Sequence, residues 1–151
     1  MADTDRSRPN IVFILTDDQG AWTLGSAGNR EIRTPNLDRL AERGTRFENF
    51  YCVTPVCSAA RASILTGTIP SRHGVHDFLC GSGVGGRDDV NYLAGHRCYP
   101  ELLANAGYTC GHAGKWHLGD ASFAQKGFSF WRPLATTRHN DPVFYDESGN
   151  Q

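Results

Sequence analysis

Residues 55–67 have the sequence PVCSAARASILTG, in which an extended segment is followed by small and apolar residues suited to a helix. Cys57 comes at the expected start of that helix, so the backbone N–H groups of the first turn point toward its side chain. Arg61 follows at i+4 and therefore lies on the same helical face. A helix N-terminus and a guanidinium that converge on one side chain suit a tetrahedral oxyanion. We predict that the chain is organised around this oxyanion site.

A second stretch lies near the start of the chain, where residues 10–15, NIVFIL, are almost entirely apolar and rich in β-branched side chains. Such a run is typical of a buried central strand of a parallel sheet. Asp17 and Asp18 follow directly, at the strand end where α/β proteins place ligands. Most Asp-Asp pairs are solvated turns or helix caps, but in this position a hard divalent cation would offset their mutual repulsion. Both residues are therefore predicted metal ligands.

A third stretch, GKWHLG at residues 114–119, follows a short strand predicted over residues 108–113. In an extended backbone Lys115 and His117 point to one face and Trp116 to the other. A cation beside an imidazole fits charge neutralisation and proton transfer on one oxyanion. A lone lysine is more often solvent-exposed, and a lone histidine more often structural. Their alternation between two glycines favours a functional pair.

The three stretches together resemble the signature of the formylglycine-dependent sulfatases, and they occur in the family's order. The matching segments are CSAARASILTG at residues 57–67, NIVFILTDDQG at residues 10–20 and GKWHLG at residues 114–119. In that family the cysteine is oxidised to an aldehyde, formylglycine. Ala59 replaces the proline of the usual Cys-x-Pro-x-Arg. A Cys-x-Ala-x-Arg form also occurs in the family and resembles the kind matured by an anaerobic, radical-type formylglycine-generating enzyme.

The resemblance implies a metal site. Asp17, Asp18 and the formylglycine derived from Cys57 would ligate a divalent cation, expected to be Ca²⁺. Because Ca²⁺ takes about six to eight oxygen ligands, these three residues would leave its coordination shell incomplete. The family's remaining ligands, a second lysine and the histidine that protonates the leaving group lie further downstream.

The resemblance also implies a sulfuric ester hydrolase. The hydrate of the aldehyde at position 57 would attack the sulfur of a sulfate ester, and Arg61 would hold that hydrate. Lys115 would bind the sulfate oxygens, and His117 would take the proton that lets sulfate leave. The expected substrate is a sulfated small molecule or a sulfated carbohydrate.

The alternation of apolar strands and short helices predicts an α/β fold. The resemblance implies the alkaline-phosphatase-like α/β/α sandwich, with a mostly parallel mixed sheet that is incomplete in this chain. Family members are several times longer, so residues 1–9 are interpreted as a polar lead-in and residues 10–151 as the N-terminal portion of a sulfatase catalytic domain. We expect the isolated chain to have little or no sulfatase activity and to bind metal weakly.

Local signals predict further elements. A helix is expected to start at Thr34-Pro35 and end at Gly44, because a hydroxyl N-cap, an N1 proline and a terminal glycine mark its two ends. Its predicted apolar stripe comprises Leu37, Leu40 and Ala41. A strand is predicted over residues 46–52 and a short helix over residues 100–105. His73, beside a turn, is interpreted as structural.

Composition argues against several partners. The 151 residues are 39% hydrophobic and 21% charged, with a net charge of −1, which argues against nucleic-acid and membrane-surface binding. No apolar run is long enough to span a bilayer. Residues 1–8 lack the apolar core of a signal peptide, so a cytoplasmic location is expected, or a periplasmic or secreted one if a leader was removed.

The chain has five cysteines and no Cys-x-x-Cys pair, so neither a zinc site nor a closed disulfide framework is indicated. Apart from Cys57, we interpret them as reduced and mostly buried thiols.

Three alternatives stay open at this point. The chain could belong to a hydrolase of the same superfamily that acts on phosphate diesters or phosphonate monoesters, which share tetrahedral geometry with sulfate. It could be a non-catalytic, truncated sulfatase-like chain whose Cys57 is never modified. Cys57 could also be a buried structural thiol, which would require three motifs to coincide by chance.

Overall fold

The structure, a computed structural model, describes residues 8–80, 90–134, 143–146 and 148. The chain divides into two units between Phe50 and Tyr51. Among the described residues, no helix is both long and apolar enough to span a membrane.

The first unit contains helix α1 (Pro35–Arg43), preceded by two 3-10 turns at Ala21–Thr23 and Gly25–Ala27. The predicted bounds of this helix are confirmed, and the Gly44 N–H donates to the Leu40 carbonyl at 2.9 Å. The Thr34 hydroxyl does not make the capping hydrogen bond expected of it. The Thr34 hydroxyl donates to Asp38 Oδ1 at 2.9 Å and accepts from the Gly25 N–H at 2.8 Å. This side chain therefore ties the start of α1 to the preceding turn.

Two predicted strands of the sequence are absent. Residues 10–15 are irregular and exposed, with Val12 at 82% and Ile14 at 75% of full exposure, and residues 46–52 are irregular as well. A buried parallel strand needs hydrogen-bonding neighbours and a covered face on each side. No described segment pairs with residues 10–15 or covers their apolar side chains. Both strand predictions are wrong for this structure.

The predicted apolar stripe of α1 is present in the helix but is not buried. Leu37 is 41% and Leu40 is 65% exposed, and no described residue of the first unit is buried. Helix caps act within a single turn, whereas an apolar stripe is buried only when another element covers it.

The described part of the second unit contains helices α2 (Cys57–Thr66), α3 (Pro70–His73) and α4 (Tyr99–Asn105). Helix α2 is confirmed as predicted from the cysteine stretch. It ends at Gly67, whose φ of +65° lies in the left-handed region that glycine adopts without steric cost. Helix α4 is the short helix predicted over residues 100–105, and it begins one residue earlier.

Among its described residues, the second unit also has a parallel sheet of two strands, β1 (Cys110–Lys115) and β2 (Phe128–Leu134). Strand β1 was predicted two residues too early, and β2 was not predicted. Isolated antiparallel bridges join Asn91 to Gly119 and Leu134 to Phe144. Helices combined with parallel strands confirm the α/β class.

The core of the second unit lies beneath the 114–119 segment. The fully buried rings of Trp116 and Trp131 meet edge to face at 5.0 Å, and Trp131 Nε1 donates to the Ala121 carbonyl at 2.7 Å. Small residues of α2, Ala59 and Ala62, join the same apolar cluster. The cysteine helix and the 114–119 segment are therefore held by one core.

All five cysteines are free in the structure. Cys98 and Cys110 are buried, and burial raises the pKa of Cys98 to about 11. Cys52 and Cys80 are exposed, so the expectation that the thiols outside the motif are mostly buried holds for only half of them.

Candidate active site

Cys57 is the first residue of α2 and is half-buried. One face of the helix is buried through Ser58, Ala59, Ala62, Ser63 and Leu65. Cys57 and Arg61 both lie outside that set and are partly exposed, which confirms the predicted common face. The first N–H groups of a helix have no partner within it, so the Cys57 side chain starts where the helix dipole is positive.

Arg61 connects the cysteine helix to the end of β1. Its Nη1 donates to the backbone carbonyl of Lys115 at 2.6 Å, across a long sequence separation. A charged donor makes this hydrogen bond stronger than one between neutral groups. The bond holds the guanidinium of one motif against the backbone of another.

His117 is oriented by the backbone of Leu79. Its Nε2 donates to the Leu79 carbonyl at 2.8 Å, and the Phe78 ring meets the imidazole edge to face at 4.7 Å. Since a carbonyl only accepts, Nε2 carries the hydrogen in this pair. In the neutral ring Nδ1 is then the nitrogen with proton-accepting character.

The predicted two-faced arrangement of the 115–117 segment is wrong. His117 has a φ of +57°, so the backbone turns there instead of staying extended. Trp116 and His117 are both buried, at 2% and 3% exposure, while Lys115 is half-buried. A non-glycine residue in this conformation costs roughly 1–2 kcal/mol, which the buried ring contacts offset.

The predicted metal ligands Asp17 and Asp18 have the oxygen donors that a hard cation requires, but they are too few to complete its coordination shell. Asp17 and Asp18 are exposed carboxylates of the first unit, and carboxylate oxygen is the donor that Ca²⁺ prefers. Within the described part of the chain, no three His, Cys, Asp or Glu side chains come together as a metal site. Cys57 belongs to the second unit.

His73 has the structural role expected for it. Its Nδ1 accepts from the Val75 N–H at 3.1 Å and its Nε2 pairs with Ser63 Oγ at 2.9 Å. Burial, followed by the nearby His96 and His76, lowers its pKa. His73 is therefore favoured in the neutral form.

Three residues with contacts in or near these segments were not singled out from the sequence: Ser58, Leu79 and His112. Ser58 Oγ is completely buried and accepts from the Leu79 N–H at 3.1 Å. His112 lies among the rings of Trp116, Phe128 and Trp131, with centroids 5.1–5.5 Å away. A serine on the buried face of a helix made of small residues is a signal for Ser58. Leu79 acts only through its backbone and carries no such signal.

The surroundings of His112 predict a pH-dependent stability. Burial lowers its pKa to about 4 from 6.5, while its hydrogen bond to the Gly114 carbonyl opposes the shift and Arg61 adds to it. In the unfolded chain His112 is therefore protonated below about pH 6.5, whereas in the folded chain it stays neutral down to about pH 4. Stability should be complete above pH 6.5 and fall toward pH 4, with a limiting slope of about 1.4 kcal/mol per pH unit.

Urea unfolding of the wild-type chain and of His112→Phe at several pH values between 4 and 6.5 measures this effect. The variant should lose stability less steeply with falling pH, whatever its absolute stability. Equal slopes for the two proteins would show that His112 is not the group responsible.

Comparison with known proteins identifies the family. The family model named Sulfatase matches residues 9–148. The chain is 43% identical to human N-acetylgalactosamine-6-sulfatase over 119 residues, which are 74% of this chain and 22% of that protein. It is 36% identical to an ulvan-active sulfatase of Formosa agariphila over 148 residues, 93% of this chain and 27% of that protein. The chain thus spans about a quarter of the length of these curated relatives.

Solved structures agree with this assignment. A protein in complex with its substrate, D-glucosamine-2-N,6-O-disulfate, matches 93% of this chain and 27% of its own, with a TM-score of 0.74 and 36% identity. Another, in complex with a neocarrahexaose, matches 78% of this chain and 26% of its own, with a TM-score of 0.66 and 30% identity. The structural neighbours have the alkaline-phosphatase-like fold, of which the two-stranded sheet and its helices form a part. Because the family model matches almost the whole sequence, this chain belongs to the sulfatase family.

Proposed function

We propose that the protein containing this chain hydrolyses sulfate esters of carbohydrates. The observation that carries the proposal is the hydrogen bond between Arg61 and the Lys115 carbonyl, which holds the end of β1 against the helix that begins at Cys57. Two cations and a helix N-terminus suit a sulfate group. Sulfated sugars are favoured as substrates because two structural neighbours were solved with a sulfated glucosamine and a neocarrahexaose.

The proposed roles of the second-unit residues follow from their surroundings. Half-buried Lys115 would bind the sulfate oxygens, and its partly desolvated position strengthens that attraction. Arg61 would fix the group at position 57 and offset charge. His117 would accept a proton at Nδ1, because Nε2 is committed to the Leu79 carbonyl.

Formylglycine and calcium belong to this proposal as well. Asp17 and Asp18 would hold a Ca²⁺ ion together with donors from outside the described residues, since two carboxylates do not complete its shell. When present, the ion would supply Lewis acidity, and formylglycine at position 57 would supply the hydrated aldehyde as nucleophile. Ala59 in the motif supports maturation by the anaerobic type of modifying enzyme.

Intact mass and an ester panel test the proposal. The full-length protein, produced together with an anaerobic-type modifying enzyme, should lose about 18 Da at the peptide that carries Cys57, because the thiol becomes an aldehyde. It should then hydrolyse 6-O-sulfated amino sugars faster than matched phosphate diesters or phosphonate monoesters. The 151-residue chain alone should show little turnover.

Cys57→Ala provides the control, since it should neither change in mass nor hydrolyse any ester. Faster cleavage of the phosphorus esters would favour the other hydrolase of the superfamily. Sulfate release by a protein whose Cys57 still carries sulfur would contradict the proposed nucleophile. A modified protein that cleaves none of these esters would contradict the proposed substrate class.

A further inference from the structure

The ring of His117 is linked to the cysteine helix by two consecutive hydrogen bonds. Ser58, the residue after Cys57, accepts the Leu79 N–H at its Oγ over 3.1 Å. The carbonyl of the same Leu79 accepts from His117 Nε2 over 2.8 Å. Leu79 is thus held on one side by α2 and holds the imidazole on the other.

Burial gives these bonds their importance. Ser58 is completely buried and His117 is 3% exposed, whereas Leu79, which bonds to both, is half-buried. Loss of either acceptor would leave the Leu79 N–H or His117 Nε2–H without a hydrogen bond, at a cost in free energy. Both bonds therefore favour the observed position of Leu79. The left-handed backbone of His117 shows that the chain departs from its preferred conformation at the point where the ring reaches Leu79.

The tautomer of His117 follows from this arrangement. A carbonyl oxygen demands a donor, so the Leu79 carbonyl keeps the hydrogen on Nε2 and the lone pair on Nδ1. If Leu79 moved, its carbonyl would no longer favour the Nε2–H tautomer over the Nδ1–H tautomer. A base that must accept a proton from one fixed direction would then be correctly arranged for only part of the time.

We propose that Ser58 is a positioning residue for His117: through the backbone of Leu79 it fixes the orientation and the Nε2–H tautomer of the imidazole. The catalytic relevance of this relay rests on the proposed function, in which His117 accepts a proton. The relay itself is a property of the chain, independent of any ester hydrolysis.

Helix α2 contains a matched control for Ser58. Ser63 is a second buried serine on the same helix, 9% exposed, and its Oγ contacts His73 Nε2 at 2.9 Å. The two serines lie on the same helix, but Ser63 contacts His73 directly and Ser58 is connected to His117 through Leu79. Removing either hydroxyl perturbs α2 in a similar way, so a general loosening of the helix would affect both histidines.

Nitrogen-15 spectra of the histidine rings in the 151-residue chain test the proposal. In the wild-type chain His117 should give separate signals for a protonated Nε2 and an unprotonated Nδ1. Ser58→Ala should move these two shifts toward each other, as tautomer exchange averages them, and leave His73 unchanged. Ser63→Ala should perturb His73 and leave His117 unchanged.

Unchanged His117 signals in a folded Ser58→Ala chain would overturn the proposal, as would equal effects of both variants on both histidines. Should Ser58→Ala fail to fold, the wild-type chain still provides a test. A scalar coupling between His117 Nε2 and the Leu79 carbonyl carbon reports the hydrogen bond through which Ser58 is proposed to act, and its absence overturns the proposal. A full-length protein without sulfatase activity but with the expected spectra would contradict the proposed function and leave the relay standing.

Discussion

Replacing Gly119 by alanine is expected to destabilise the second unit by more than about 3 kcal/mol. Gly119 has a φ of +91°, and a Cβ added there would lie 1.6 Å from the Val90 carbonyl oxygen. That carbonyl cannot withdraw easily, because it accepts from the Asp120 N–H at 3.1 Å beside the bridge between Asn91 and Gly119. The free energy of unfolding in urea, measured on the 151-residue chain, gives the size of the effect.

Gly74→Ala is the matched control, because it separates backbone conformation from steric overlap. Gly74 has a similar φ of +80°, but a Cβ there would meet nothing within 4 Å. Only the conformational cost then remains, roughly 1–2 kcal/mol. Equal losses of stability in the two variants would show that the close approach of Val90 to residue 119 does not exist in solution.

The elements predicted correctly from the sequence are those encoded by short-range signals. Helix α1 begins after Thr34 and ends at Gly44, and α2 ends at Gly67, where the sequence alone marks a cap. The Gly44 and Gly67 N–H groups donate to carbonyls of the last helical turn, and these contacts need no distant partner. The common face of Cys57 and Arg61 was predictable for the same reason, since helical geometry alone sets it.

The errors concern features that depend on distant parts of the chain. The apolar run at residues 10–15 predicted a strand, but hydrophobicity indicates only that a segment can be buried, and no described segment covers it. Strand β2 was missed because Pro133 and four neighbouring apolar or aromatic residues do not follow a clean alternation. The positive φ of His117 could not be predicted, because histidine has no strong preference for that conformation.

The same distinction applies to the site. Residue types led to the proposal of Cys57, Arg61, Lys115 and His117 as site residues. The contacts that orient Arg61 and His117, however, run through backbone carbonyls. Every residue type has a backbone carbonyl. The sequence therefore does not indicate that the carbonyls of Lys115 and Leu79 accept these hydrogen bonds. The chemistry of the site is therefore encoded in side chains, whereas its geometry depends on the fold.

Arg61→Ala is expected to lower the rate of sulfate ester hydrolysis by the full-length protein by a factor on the order of 10²–10³. The guanidinium is proposed to offset charge beside position 57, and it also holds the Lys115 carbonyl at 2.6 Å. Its removal takes away a cation and leaves the end of β1 without this anchor. The measurement is kcat and KM for a sulfated amino sugar, together with the unfolding free energy of each variant.

Two further variants separate charge from geometry. Arg61→Lys keeps the cation but loses the planar fork, so it should recover only part of the lost rate. Arg72→Ala removes an exposed arginine from α3 in the same unit and should leave the rate unchanged. Complete recovery in Arg61→Lys would mean that charge alone suffices and that the bond to Lys115 is dispensable. A rate loss in Arg72→Ala as large as that in Arg61→Ala would point to general electrostatics instead of a contact specific to Arg61.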